Sequence, residues 1–370
     1  RNTVQSLLSD KYDFDTRRKV AKSADGWRPE IWAQFAELGL LAAPFSEEMG
    51  GLGGGAIETM IVMEEFGRHL VIEPYVETVV IAGGFLREGG SAAQQEAHIP
   101  GIIGGETVWA FAYAEPQGRY NLADLTTTAK KDGSGYVING YKAVVLGAPW
   151  AQKLIVTART SGGQRDRDGV SVFIVDKSAA GVSTRDYPTV DGRRASEITF
   201  ENVKVDADAL IGAEGKGLPL VEKITDQAIA ALSAEAIGCM KELNTATVEY
   251  CKTRKQFGVP IGAFQVLQHG AVDMFVATEQ ARSLAIYATM MADSEDAGER
   301  GRAMHAAKAE IGRAGRLVGE NAIQLHGGVG MTMEYAIGHY FKRMTMIDIA
   351  LGDHEHHLKA LAEKGGLVEA

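Results

Sequence analysis

The chain has 370 residues, a net charge of −10 at neutral pH, 45% hydrophobic residues and two cysteines. Its length is enough to bury the cores of two or three domains. The acidic balance, with no basic run, excludes nucleic acid and anionic membrane surfaces as partners. Cys239 and Cys251 are too few for a disulfide framework and fall in a helical pattern as small hydrophobes, which fits a reduced, cytoplasmic protein.

From about Thr16 to Gly104 the apolar residues recur at helical spacing, as in Ile31, Phe35, Leu38 and Leu41, then Met60, Met63, Phe66 and Leu70. The apolar stretch from Leu70 to Leu86 carries Glu73, Pro74 and Glu77 and therefore does not span a bilayer. Gly51-Leu-Gly53-Gly-Gly-Ala56 fits the dinucleotide pattern G-x-G-x-x-G/A, but no strand precedes it, so it reads as a flexible turn. From Val108 to about Leu210 the period shortens to alternating runs, among them Tyr136–Ile138, Leu154–Thr157, Val170–Val175 and Glu197–Phe200. Helical spacing returns in long segments at Val221 to about Arg254, Phe264 to Asp293 and Glu299 to Leu325. The pattern predicts an α+β chain. It has an N-terminal helical domain over 1–107, a middle antiparallel β domain (barrel or sandwich) over 108–215, and a C-terminal helical domain over 216–370.

Two late motifs carry chemistry: Arg254-Lys-Gln-Phe-Gly258 and Gln324-Leu-His-Gly-Gly-Val-Gly330. An arginine forks onto phosphate oxygens, adjacent glycines let a ligand approach the backbone, and Phe257 offers an apolar wall. With them stand Glu37-Leu-Gly-Leu-Leu41, Glu47 to Gly53, Glu115-Pro116, Val137-Ile-Asn-Gly-Tyr-Lys142 and Phe200 to Val205. In this order the segments resemble the acyl-CoA dehydrogenase family over nearly the whole chain. The resemblance implies a C-terminal four-helix bundle and FAD shared between two subunits. It also implies α,β-dehydrogenation of an acyl-CoA thioester, with an electron-transfer flavoprotein or similar acceptor. It assigns the pyrophosphate and adenosine half of a neighbouring subunit's FAD to Arg254, Phe257, Gln265, Gln324, Gly327 and Gly328.

The departures from the family fall on the chain's own cleft. The family's TEPxxGS segment becomes Ala114 to Tyr120, with Arg119 and Tyr120 replacing small residues, and the WIT segment over the flavin ring becomes Val144-Val-Leu146. The two positions that carry the catalytic base hold Ala228 and Leu351, and a common arginine position holds Ile229. Neither alanine nor leucine accepts a proton, and losing a general base costs about 10²–10⁴ in rate. Asp226 points elsewhere on the helix, and Glu235 lies on the face of Ala228 but about two turns away. Asp353 is the nearest substitute base, although its position also suits a helix N-cap. The run Asp353-His-Glu-His-His357 reads as a solvated helix start, not a metal site.

The chain is therefore expected to be the small, base-lacking subunit of a heteromeric acyl-CoA dehydrogenase of the bacterial steroid side-chain or pimeloyl-CoA type. Such an enzyme is a dimer of heterodimers in which a homologous subunit supplies the base. Two alternatives stay open. One is a homo-oligomeric flavoprotein with other chemistry on an acyl-CoA-like thioester; the other is a structural or acyl-CoA-binding relic.

Overall fold

A computed structural model describes residues 1–367. Six helices precede the sheet: α1 Asn2–Lys11, α2 Phe14–Lys22, α3 Pro29–Glu37, α4 Ala56–His69, α5 Gly83–Gly89 and α6 Ala92–Ile103. Eight strands follow: β1 Trp109–Ala112, β2 Thr128–Asp132, β3 Gly135–Leu146, β4 Lys153–Arg159, β5 Val170–Asp176, β6 Val182–Pro188, β7 Arg194–Val205 and β8 Leu210–Ile211. Beyond them come α7 Leu218–Thr253, a hairpin of β9 Lys255–Gln256 with β10 Val259–Pro260, then α8 Gln265–Met291, α9 Ala297–His326, α10 Ala336–Ile349 and α11 His354–Glu363. The order helix, strand, helix matches the periodicities. Gly51 to Gly55 follows a short 3₁₀ turn and leads into α4 with no preceding strand, the context of a turn. No helix among the described residues is long and apolar enough to cross a membrane.

Contacts gather the chain into two units, which interleave in sequence. The first comprises Arg1–Lys19, Ala56–Val71 and the chain from Ile229 onward, and the second comprises Val20–Gly55 and Ile72–Ala228.

The second unit is built on the sheet, in the order β6-β7-β3-β2-β4-β5-β8 with β1 beside β4. β5 (Val-Ser-Val-Phe-Ile-Val-Asp) is buried at every residue but the last, as a strand covered on both faces must be. The sheet is mixed where the sequence suggested a purely antiparallel one. Trp109 to Ala112 run parallel to Lys153 to Val156, and Thr128 pairs in parallel with Arg159. The β2–β3 hairpin lies between β1 and β4 in sequence, so the chain re-enters β4 in the direction of β1. Within the apolar run, Val76–Ala82 winds as a π-helix, fully buried, which hydrophobic spacing alone does not reveal.

The first unit packs the long C-terminal helices with α1 and α4. Glycines set the closest approach. A Cβ on Gly67 of α4 would lie 1.9 Å from the Glu235 carbonyl oxygen, and one on Gly238 of α7 would lie 2.0 Å from that of Glu64. Cys239 beside them donates to the Gly67 carbonyl at 3.3 Å; both cysteines are buried and free. The α8 helix is apolar on two sides. It buries Ala277, Ala281, Ala285 and Ala288, yet leaves Val266, Val272, Phe275 and Met290 in the open.

Candidate cofactor site

All six residues assigned to the cross-subunit half-site lie in the first unit, at one end of the long helices. After α7 the chain turns through the β9–β10 hairpin, whose tip is Phe257 and Gly258, with φ of 53° and 83°. Phe257 is 91% exposed and meets Phe264 edge-on at 6.1 Å. The Ile261 N–H donates to the Arg254 carbonyl at 2.8 Å and closes the hairpin, and Gln265 starts α8 just beyond. On the other side α9 ends at His326, and Gly327 takes φ 63°, ψ −146°, a conformation reserved to glycine. A Cβ at Gly327 or Gly328 would meet nothing within 4 Å.

The two motifs are held together by side chains the sequence did not single out. The Tyr250 ring, one helical turn before Arg254, stacks on His326 at 4.4 Å and 27°. One turn into α8, a Cβ on Gly270 would touch Leu325 at 3.3 Å. Arg254, Gln265 and Gln324 are exposed, and among the described residues their side chains make no hydrogen bond or ion pair. The signal for Tyr250 and His326 was their position, one turn before Arg254 and directly before Gly327.

The positions of the missing base have an apolar setting. Leu351 sits at φ 59° and packs with Ile229, Ala230, Ala288, Met304 and Ala307. Leucine at the base position and isoleucine at the arginine position thus share one hydrophobic cluster. The Leu351 backbone is clamped: buried Lys308 donates to the Asp348 and Gly352 carbonyls, both at 2.6 Å, and His357 Nε2 lies 3.1 Å from the Leu351 carbonyl. Burial draws the Lys308 ammonium down to about 8, against the pull of Asp348 and Asp353.

The two acids weighed as substitutes, Glu235 and Asp353, are both engaged. Glu235 is buried, with both oxygens held at 2.6 Å by the Arg343 guanidinium. Asp353 accepts from the His356 N–H at 2.8 Å as the N-cap of α11. His357 of the same run turns inward, its Nδ1 2.8 Å from His305 Nδ1. Among the described residues no three His, Cys, Asp or Glu side chains converge as a metal site would need.

In the second unit, two motifs 27 residues apart meet. Lys142 donates to Glu115 at 2.8 Å and to Thr157 at 3.2 Å, with both partners of the ion pair out of solvent. Burial pushes the Glu115 carboxyl up, but Lys142 and Thr126 outweigh it and hold the group at about 2. Burial lowers Lys142 to about 8, Glu115 opposing, so the pair stays charged at neutral pH. Val144, two residues on, is exposed, Ala228 is wholly buried, and Arg119 beside Tyr120 holds a left-handed φ of 46°.

Residues 1–106, 110–203 and 215–366 match in turn the N-terminal, middle and C-terminal domains of acyl-CoA dehydrogenases. The NADH-dependent acryloyl-CoA reductase of Anaerotignum propionicum is 30% identical over 90% of this chain and 86% of its own length. The chain belongs to the acyl-CoA dehydrogenase family. Mitochondrial isovaleryl-CoA dehydrogenase of Arabidopsis thaliana is 32% identical over 88% of this chain and 80% of its own. Among solved structures, a variant of the Tcur3481–Tcur3483 steroid acyl-CoA dehydrogenase matches with a TM-score of 0.88 and 29% identity, over 98% of this chain and 95% of that one. PigA with FAD and proline matches with 0.90 and 26%, over 99% and 96%.

FAD is the cofactor that membership in this dehydrogenase family brings. The residues at the helix ends suit a flavin nucleotide. An unpaired guanidinium can take a pyrophosphate, two glycines leave open space where side chains would stand, and an exposed ring can cover a base.

Proposed function

We propose that this chain is the base-lacking subunit of a heteromeric, FAD-dependent acyl-CoA dehydrogenase, paired with a homologous subunit that carries the catalytic glutamate. The observation that carries the reading is the contrast between two sites. The half-site at the helix ends keeps its polar side chains unpaired and exposed, while the base position is closed into a hydrophobic cluster. A half-site with open donors is built to be completed by something outside the chain. The bare apolar side of α8, in the same unit, is the kind of surface that oligomer interfaces cover.

Bound FAD supplies the hydride acceptor for dehydrogenation of the thioester. This chain's residues would bind and orient. Arg254 would fork onto the pyrophosphate, Gln265 and Gln324 would offer amide donors, and the exposed Phe257 ring would provide an apolar wall. Gly327 and Gly328 present backbone where a side chain would intrude. No residue of this chain is assigned the α-proton; the partner subunit supplies that base.

The test is flavin counting with and without the partner. The expected outcome is little flavin on the chain alone and one FAD per heterodimer after co-expression with a base-bearing homologue. Full flavin occupancy with dehydrogenase activity on the isolated chain would sink the reading. Bound FAD without a partner and without oxidation, combined with loss of activity in Asp353→Asn, would support the homo-oligomeric alternative instead.

A further inference from the structure

The two motifs of the half-site sit on different helices, separated by about seventy residues of chain. Something must hold Arg254 in register with Gly327 and Gly328. The contact that spans them is aromatic. His326 is 97% buried although the glycines after it are open, and its ring lies on Tyr250 with centroids 4.4 Å apart and against Tyr335 at 5.3 Å. Tyr250 accepts the Arg254 N–H at 2.8 Å, so the stacked ring and the guanidinium-bearing residue belong to the same helical turn.

The polarity of the His326 ring narrows what it does. Its Nδ1 lies 2.7 Å from the Ala322 carbonyl, so Nδ1 carries the proton and donates; burial disfavours the imidazolium. In that tautomer Nε2 is a bare acceptor, and it is buried with no hydrogen-bond partner. The ring contributes its face and one bond to its own helix, and pays for a desolvated nitrogen without return.

Resting on the heteromeric reading above, we infer that His326 is a positioning residue: its stack on Tyr250 locks the ends of α7 and α9 in the spacing the flavin nucleotide needs, without touching the cofactor. The stacked face carries the role and the ring nitrogens do not. A site has to hold its groups within about 0.5 Å of the productive geometry, so losing the stack loosens the half-site while leaving each contacting residue in place.

The test uses the co-expressed heteromeric complex, stripped of flavin and titrated with FAD by fluorescence quenching, with assembly followed by sedimentation and folding by thermal melting. His326→Phe keeps the stacked face and removes the orphaned nitrogen. Its flavin affinity should stay within about threefold of the parent, with an unchanged or raised melting temperature. His326→Ala and Tyr250→Leu should each weaken FAD by about tenfold or more while the complex still assembles. Three results overturn the inference: His326→Ala binding FAD like the parent, His326→Phe failing alongside it, or both ring deletions abolishing assembly, which would make the stack a general folding contact. Arg254→Ala separates this from the reading beneath it. If that variant loses flavin and His326→Ala does not, only the positioning role falls. If Arg254→Ala binds flavin normally, the cross-subunit assignment falls, and the positioning role with it.

Discussion

Glu235 and Arg343 hold each other through two 2.6 Å contacts inside the first unit, and neither side chain reaches solvent. An acid so placed cannot act as a base. Removing its partner exposes the full cost of a buried charge, so Arg343→Leu should destabilise the protein by about 3–5 kcal/mol in urea unfolding. Replacing both with well-packed apolar residues should cost much less. Leu351 and Ile229 are the converse, two uncharged residues in one packed cluster. Leu351→Glu alone should not restore dehydrogenation and should cost roughly 2 kcal/mol by sinking a carboxylate among Met304, Ala307 and Ile229. Adding Ile229→Arg should recover about 1 kcal/mol or more beyond additivity, read from a double-mutant cycle. That both residues are uncharged was plain from residue identity. That Leu351 and Ile229 share one cluster was not, because they lie far apart in sequence and only the packing of helices brings them together.

Helix α11 is attached to α9 through titratable groups that are buried neutral. His305 and His357 meet at 2.8 Å, above Lys308 and near His356 and Lys364, with Asp348 and Asp353 at the turn below. Burial, then Lys364 and His356, lowers His305 to about 4; burial, then Lys308 and His305, lowers His357 to about 2. Above pH 6.5 both rings are neutral whether the chain is folded or not, and stability does not depend on them. Below it the unfolded chain takes up protons that the folded one refuses. The contribution of His305 therefore falls from pH 6.5 down to about 4, by about 3 kcal/mol in all. Urea midpoints measured from pH 8 to 4.5 should fall steeply for the parent and less for the double variant His305→Gln, His357→Gln. On α8 the prediction concerns association. Phe275 is more than half exposed, so Phe275→Asp should change monomer stability by no more than about 0.5 kcal/mol and still block assembly in sedimentation. Helix boundaries were legible to within a few residues because period and length are local properties. The π-helix at Val76–Ala82 was not, since a buried apolar run has no polar face to report its period.

At the scale of the whole molecule, function is divided between what the chain offers outward and what it has closed inward. The open helix ends, the bare side of α8 and the apolar setting of Leu351 together support the proposal that a second subunit completes the enzyme. Flavin stoichiometry is therefore the decisive measurement, with one FAD per heterodimer expected. The sequence by itself determined the order of helical and β segments and the family, and it supplied the residues on which the proposal rests: Ala228 and Leu351 at the base positions, and the six residues proposed for the half-site. Each of these is written in residue identity, spacing or period within a short window. Only the tertiary structure decided which distant residues meet. Glu115 finds Lys142, Glu235 finds Arg343 across 108 positions, and Tyr250 finds His326. Such pairings are set by how strands register and helices pack, and no local pattern encodes them. Asp353 is the contrasting case: its cap on the His356 N–H spans three residues, and its position in the sequence already suited a helix N-cap.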